Sequence, residues 1–136
     1  MKKTRGYRNN NPLNIERNAT RWQGMAENQN DSRFIVFKSM AYGYRAAIRT
    51  LVTYFTVHRL RSIRQIVNRW APPVENHTDN YIKTVSQRTG FHPDAELDLL
   101  SQDTMCAVVA AMSYMENGIE PSMAEIRQGF LLAFAD

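Results

Sequence analysis

The run Met105-Cys106-Ala107-Val108-Val109-Ala110-Ala111-Met112 constrains the fold of this chain most tightly. It opens after Ser101 and Asp103, and Gly118 and Pro121 follow it, which are the start and stop signals of a packed helix. The last turn of that helix carries Tyr114-Met115-Glu116, and Asn117-Gly118 breaks it. Burial penalises a charged carboxylate, so a glutamate in this place is expected to hold its proton near neutral pH. The alternative is an ordinary solvent-exposed glutamate at a helix end.

Helical spacing recurs along most of the chain. Ala47, Ile48, Leu51, Val52 and Phe55 form one stripe, and Leu60, Ile63, Ile66, Val67 and Trp70 form a second on an arginine-rich segment that Pro72-Pro73 ends. Asn76 or Thr78 is expected to cap a third helix bearing Tyr81, Ile82 and Val85, which Gly90 and Pro93 stop. Ser122 and Glu125 have the spacing of a capping box before Met123, Ile126, Phe130 and Phe134. Residues 1–33 instead carry turn signals at Asn9-Asn10-Asn11-Pro12, Gly24 and Asn28-Gln29-Asn30-Asp31. Leu13-Asn14-Ile15 and Arg33-Phe34-Ile35-Val36-Phe37 suggest short extended pieces. The expectation is a mainly α protein of about five helices, with a small irregular or β-hairpin N-terminal segment.

A length of 136 residues fits a single domain, 1–136. Cys106 is the single cysteine, which excludes an internal disulfide and suits a small buried hydrophobe. No segment has the length and apolarity of a membrane span, and no apolar stretch follows the basic start to make a signal peptide. The chain is therefore expected to be made in the cytoplasm. The net charge of +4 favours polyanions such as nucleic acid, acidic lipid or bacterial wall polymers. The histidines, His58, His77 and His92, lack metal-ligand spacing, and no phosphate-binding glycine loop is present, so neither metal nor cofactor is expected.

Three stretches look overspecified for folding alone. Arg8-Asn9-Asn10-Asn11-Pro12-Leu13-Asn14-Ile15 offers amide donors and acceptors that suit sugar hydroxyls. Arg69-Trp70-Ala71-Pro72-Pro73-Val74-Glu75-Asn76-His77-Thr78-Asp79-Asn80-Tyr81 gathers an indole, a carboxylate and a phenol in one connection. Glu116-Asn117-Gly118 supplies the helix-end acid. At these stretches the chain resembles a group of phage- and prophage-encoded proteins marked by the Arg-Asn-Asn-Asn-Pro-x-Asn-Ile box. The likeness extends to Trp22-x-Gly24, Phe34-x-x-Phe37, Gly43-Tyr44-Arg45-Ala46 and the Pro-Pro box. It implies a virion-associated or lysis-related protein with a lysozyme-like role.

The chain also resembles lysozyme-like glycosidases and lytic transglycosylases. Their helix-end catalytic glutamate is matched by Glu116-Asn117-Gly118, their asparagine segment by Asn11 to Ile15, and their Glu-Thr-x-x-Tyr segment by Glu75 to Tyr81. The linear order differs, and a circular permutation restores it. This resemblance implies a lysozyme-like fold of α+β type that cleaves peptidoglycan glycan strands, with Glu116 as general acid. Tyr81 would orient that carboxyl or the substrate. Glu75, Asp31 and Glu16 are the candidates for a second carboxylate, without which an intramolecular transglycosylase route is the natural one. Asn9, Asn10, Asn11, Asn14, Trp22, Asn76, Thr78 and Asn117 are the expected substrate-binding residues. Action would be at the cell wall after phage- or holin-type delivery, or in the virion. A catalytically inactive glycan-binding or virion structural protein is the alternative. Nucleic-acid binding through the arginine-rich helix is a third, not expected because no helix-turn-helix pattern frames it.

Overall fold

The computed structural model describes residues 3–71 and 75–135, and the side chains of Glu75 and Asn76 lie outside the described residues. Six helices occur among them: α1 (Arg5–Arg8), α2 (Met40–Thr56), α3 (Ile63–Trp70), α4 (Glu75–Thr89), α5 (Gln102–Asn117) and α6 (Met123–Ala133). Four begin on a hydroxyl that accepts a backbone N–H from the first turn: Thr4, Ser39, Ser62 and Ser122. The cap at Ser62 starts α3 at Ile63, after Leu60. Glu75 opens α4, so Thr78 lies buried inside that helix and does not cap it. The Pro72-Pro73 stop lies outside the described residues. Gly118 ends α5 at φ 68°, the left-handed conformation that glycine adopts without strain.

The apolar stripes face one core. Tyr44, Ile48 and Leu51 from α2 meet Ile63 and Ile66 from α3, Val85 from α4, Met105, Val109 and Met112 from α5, and Ile126 from α6. Helices α2 and α6 cross closely because residue 129 is glycine: a Cβ there would stand 2.7 Å from the Tyr44 Cβ and 2.9 Å from the Ala41 carbonyl oxygen. Arg45 and Arg49 of α2 donate to the Leu132 and Ala133 carbonyls at the end of α6, placing cations at the negative end of that helix. Met123 and Phe134, expected on the buried face of α6, are exposed at its two ends.

The hairpin expected near the N-terminus is absent from the described residues. Two isolated antiparallel bridges, Glu16 with Phe34 and Met25 with Phe37, are what pairing there is. Side-chain amides and one carboxylate take the place of a strand ladder. Asn11 Nδ2 donates to the Ile15 and Ile35 carbonyls while its Oδ1 accepts the Ile15 N–H. Gln29 serves both backbone groups of Val36, and Asp31 accepts the N–H groups of Arg33 and Phe34. A backbone whose polar groups are satisfied by side chains has no need of a regular sheet.

Candidate active site

Chain start and chain finish meet at the C-terminal end of α5. Asn117 is buried there; its Nδ2 donates to the Pro12 carbonyl at 2.7 Å and the Ser113 carbonyl at 2.9 Å. Its Oδ1 accepts the Thr4 hydroxyl at 2.7 Å. Gly6 permits this approach, because a Cβ there would come within 2.7 Å of Asn117 Oδ1 and 2.9 Å of the Asn11 carbonyl oxygen. Asn14 sits at φ 54°, a left-handed turn that asparagine tolerates, and this turn aims its amide at Glu116. The Asn14 Nδ2 donates to Glu116 Oε1 at 2.9 Å.

Glu116 lines a cleft of about 1260 Å³. One wall comes from the N-terminal segment, with Asn14, Glu16, Trp22, Arg33 and Phe34. The other comes from α2 to α4 and their connections, with Tyr54, His58, Asn68, Arg69, Trp70, His77 and Tyr81. The volume exceeds that of most small-ligand pockets.

Burial pushes the Glu116 carboxyl above the ordinary glutamate value, against a lowering by Asn14 and Tyr81. The Tyr81 hydroxyl stands by that carboxyl without completing a hydrogen bond, and burial, with the Glu116 charge beside it, drives the phenol upward. Among the described residues, Tyr81 Oη, Asn14 Oδ1 and Trp22 Nε1 are buried atoms that complete no hydrogen bond, and all three belong to residues lining the cleft.

The structure thus brings together Glu116, Tyr81, Asn14 and Trp22 from the expected set. Other members serve the fold. The Asn9 amide donates to Asp31, the Asn10 amide to the Phe37 carbonyl, and Asn11 and Asn117 make the internal bonds described above. None of these four is among the described cleft-lining residues, and neither is Thr78. Their amides are held by backbone groups and, for Asn9 and Asn117, also by the side chains of Asp31 and Thr4, so they are spoken for before any sugar arrives. The side chains of Glu75 and Asn76 lie outside the described residues. Of the other carboxylates, Asp31 is held by a forked pair with Arg5, with oxygen–nitrogen distances of 2.7 and 2.8 Å, which keeps it well below the usual carboxylate range. Glu16 lines the cleft but pairs with Arg33 on the exposed rim at 2.7 Å.

Sequence reasoning missed Tyr54, His58 and Arg69. Arg69 borders Trp70 in the Pro-Pro box, a faint signal; Tyr54 and His58 enter through the packing of α2 and carry none. Cys106 is buried, and burial raises its thiol, consistent with a core position.

The chain belongs to the family of a phage protein, protein P5 of Pseudoalteromonas phage PM2. The two are 42% identical over 134 residues, covering 96% of this chain and 82% of that protein. No protein-family model matches the chain. No helix among the described residues is long and apolar enough to cross a membrane.

Proposed function

We propose that this protein is a phage-type, lysozyme-like enzyme of permuted motif order that cleaves the glycan strands of peptidoglycan, acting at the cell wall after delivery or from the virion. The observation that carries the reading is Glu116: a half-buried carboxyl at a helix end, raised by burial, held by Asn14 and opening into the cleft. Such an acid donates its proton to the leaving glycosidic oxygen as the C1–O bond breaks. Asn14 fixes which oxygen faces the substrate, and Tyr81 sets the carboxyl's surroundings. Trp22 and Trp70 offer ring faces and edges to sugars.

Among the described residues that line the cleft, the second carboxylate beside Glu116 is Glu16, and Arg33 engages it. This favours the transglycosylase route. The Glu116 carboxylate left by proton transfer takes the proton of the muramic C6 hydroxyl, whose oxygen closes on C1 to form a 1,6-anhydro end. The acid is regenerated and no water is consumed.

The test is turnover of purified sacculi by wild-type and folded Glu116→Gln protein. Loss of at least about a hundredfold in rate is expected for removal of a general acid. Products lighter than hydrolysis products by one water mark the transglycosylase route. Full activity in Glu116→Gln sinks the assignment, and glycan binding by the wild type without any product identifies an inactive binding domain.

A further inference from the structure

The arginines of this chain divide into two groups. Arg5, Arg33, Arg64 and Arg88 each pair with a carboxylate: Asp31, Glu16, Asp94 and Glu120. Arg69 has no ion pair among the described residues, although it lines the cleft. Its guanidinium lies 5.3 Å from the centre of the Tyr54 ring, with Nη2 3.5 Å from His58 Nε2. The Tyr54 phenol and the His58 ring therefore hold the cation in place, leaving the remaining N–H donors of its fork for a ligand. Tyr54 itself is propped by the Trp70 ring, centres 6.1 Å apart. A cation seated on an aromatic face, without a carboxylate partner among the described residues, is the form of a recognition group for carboxylate.

We infer that this end of the cleft is a carboxylate subsite, built by Arg69, His58 and Tyr54, that takes the acidic peptide arm of the wall polymer. The inference rests on the glycan-cleaving reading of Glu116. Wall glycan differs from an uncharged polysaccharide in that its muramic units bear peptides with free carboxylates. The subsite makes the peptide-bearing strand the preferred substrate and the bare strand a poor one. A nucleic-acid backbone fits less well, because Arg64 is occupied by Asp94 and Arg61 lies over the Phe55 ring, so α3 and the turn before it present no continuous basic stripe.

The experiment compares turnover of intact sacculi with turnover of the same glycan stripped of peptides by an amidase. Wild-type protein is expected to prefer the peptide-bearing strand by about tenfold, as one charge-assisted contact allows. Arg69→Gln is expected to bring that ratio close to one, and Arg61→Gln to keep the wild-type ratio. Equal rates for the wild type on both substrates overturn the inference, as does a ratio unmoved by Arg69→Gln. Calorimetric titration with a disaccharide-tetrapeptide and with the bare disaccharide separates this claim from the lytic one. A peptide preference lost in Arg69→Gln, in a protein that cleaves neither substrate, upholds the subsite and retires the enzyme. No preference for the peptide-bearing fragment, or tighter binding of a single-stranded oligonucleotide, overturns the subsite.

Discussion

Replacing Asn117 by alanine removes three hydrogen bonds at once, two of which join residues more than a hundred positions apart in sequence. Each such bond contributes about 1 kcal/mol net. The Pro12 carbonyl, on a buried residue, is left short of a donor, which makes the loss more than a simple exchange for water. The expected cost is about 3 kcal/mol, a large share of the roughly 5–15 kcal/mol that holds a domain of this kind together. Urea unfolding is expected to show a midpoint lower by about 1–2 M at an unchanged slope. Asn117→Asp keeps the acceptor for Thr4 but turns a negative oxygen toward two carbonyls, so it is expected to be no milder than alanine. A double-mutant cycle with Thr4→Val is expected to give a coupling of about 1 kcal/mol. A loss under about 0.5 kcal/mol in Asn117→Ala, or strict additivity with Thr4→Val, refutes the view that this amide locks the two chain ends together.

The Glu116 carboxyl is raised above 4.5 in the folded state, so the native protein binds its proton more tightly than the unfolded chain does. Its contribution to stability is fully present below that value and is lost as pH rises through the folded pKa. Glu116→Gln is therefore expected to be more stable than wild type at neutral pH, with the gap closing below about pH 4.5 in thermal scans. Asp31 behaves in the opposite sense: its folded pKa is depressed by Arg5 first and by the Phe34 N–H next. Its contribution is present above the ordinary value of 3.8 and fades as pH falls below it, so Asp31→Asn should cost stability at neutral pH and progressively less in acid. Gly43→Ala places a methyl 2.0 Å from the Asn10 carbonyl oxygen and 2.7 Å from Pro12 Cδ. It is expected to lower stability by about 1–3 kcal/mol and to displace the asparagine turn, read as a fall in lysis at temperatures where the variant is still folded.

The sequence by itself determined helices α2 to α6 and most of the faces they bury; it gave no sign of the short α1 in the segment read as irregular. The stripes Ala47-Ile48-Leu51, Ile63-Ile66-Val67, Tyr81-Ile82-Val85 and Val108-Val109-Met112 are all interior, and Ser122 and Gly118 mark the boundaries read from them. These are local properties, fixed by period and by the chemistry of caps and breakers. The tertiary structure decided what the polar residues do. Asn9, Asn10, Asn11, Asn14 and Asn117 carry the same side chain, yet four serve the fold and Asn14 alone meets the helix-end acid across the cleft. Strand-like residues 33–37 form no sheet, because the amides of Asn11 and Gln29 reach their backbone first. A hydrogen bond depends on which partner the whole chain brings within 3 Å, and no periodicity encodes that.

Packing α5 against the folded N-terminal segment strips solvent from the Glu116 carboxyl and hands it to the Asn14 amide, and the lytic reading needs both. A spectroscopic titration in which Glu116 ionises like a free glutamate would remove its ground.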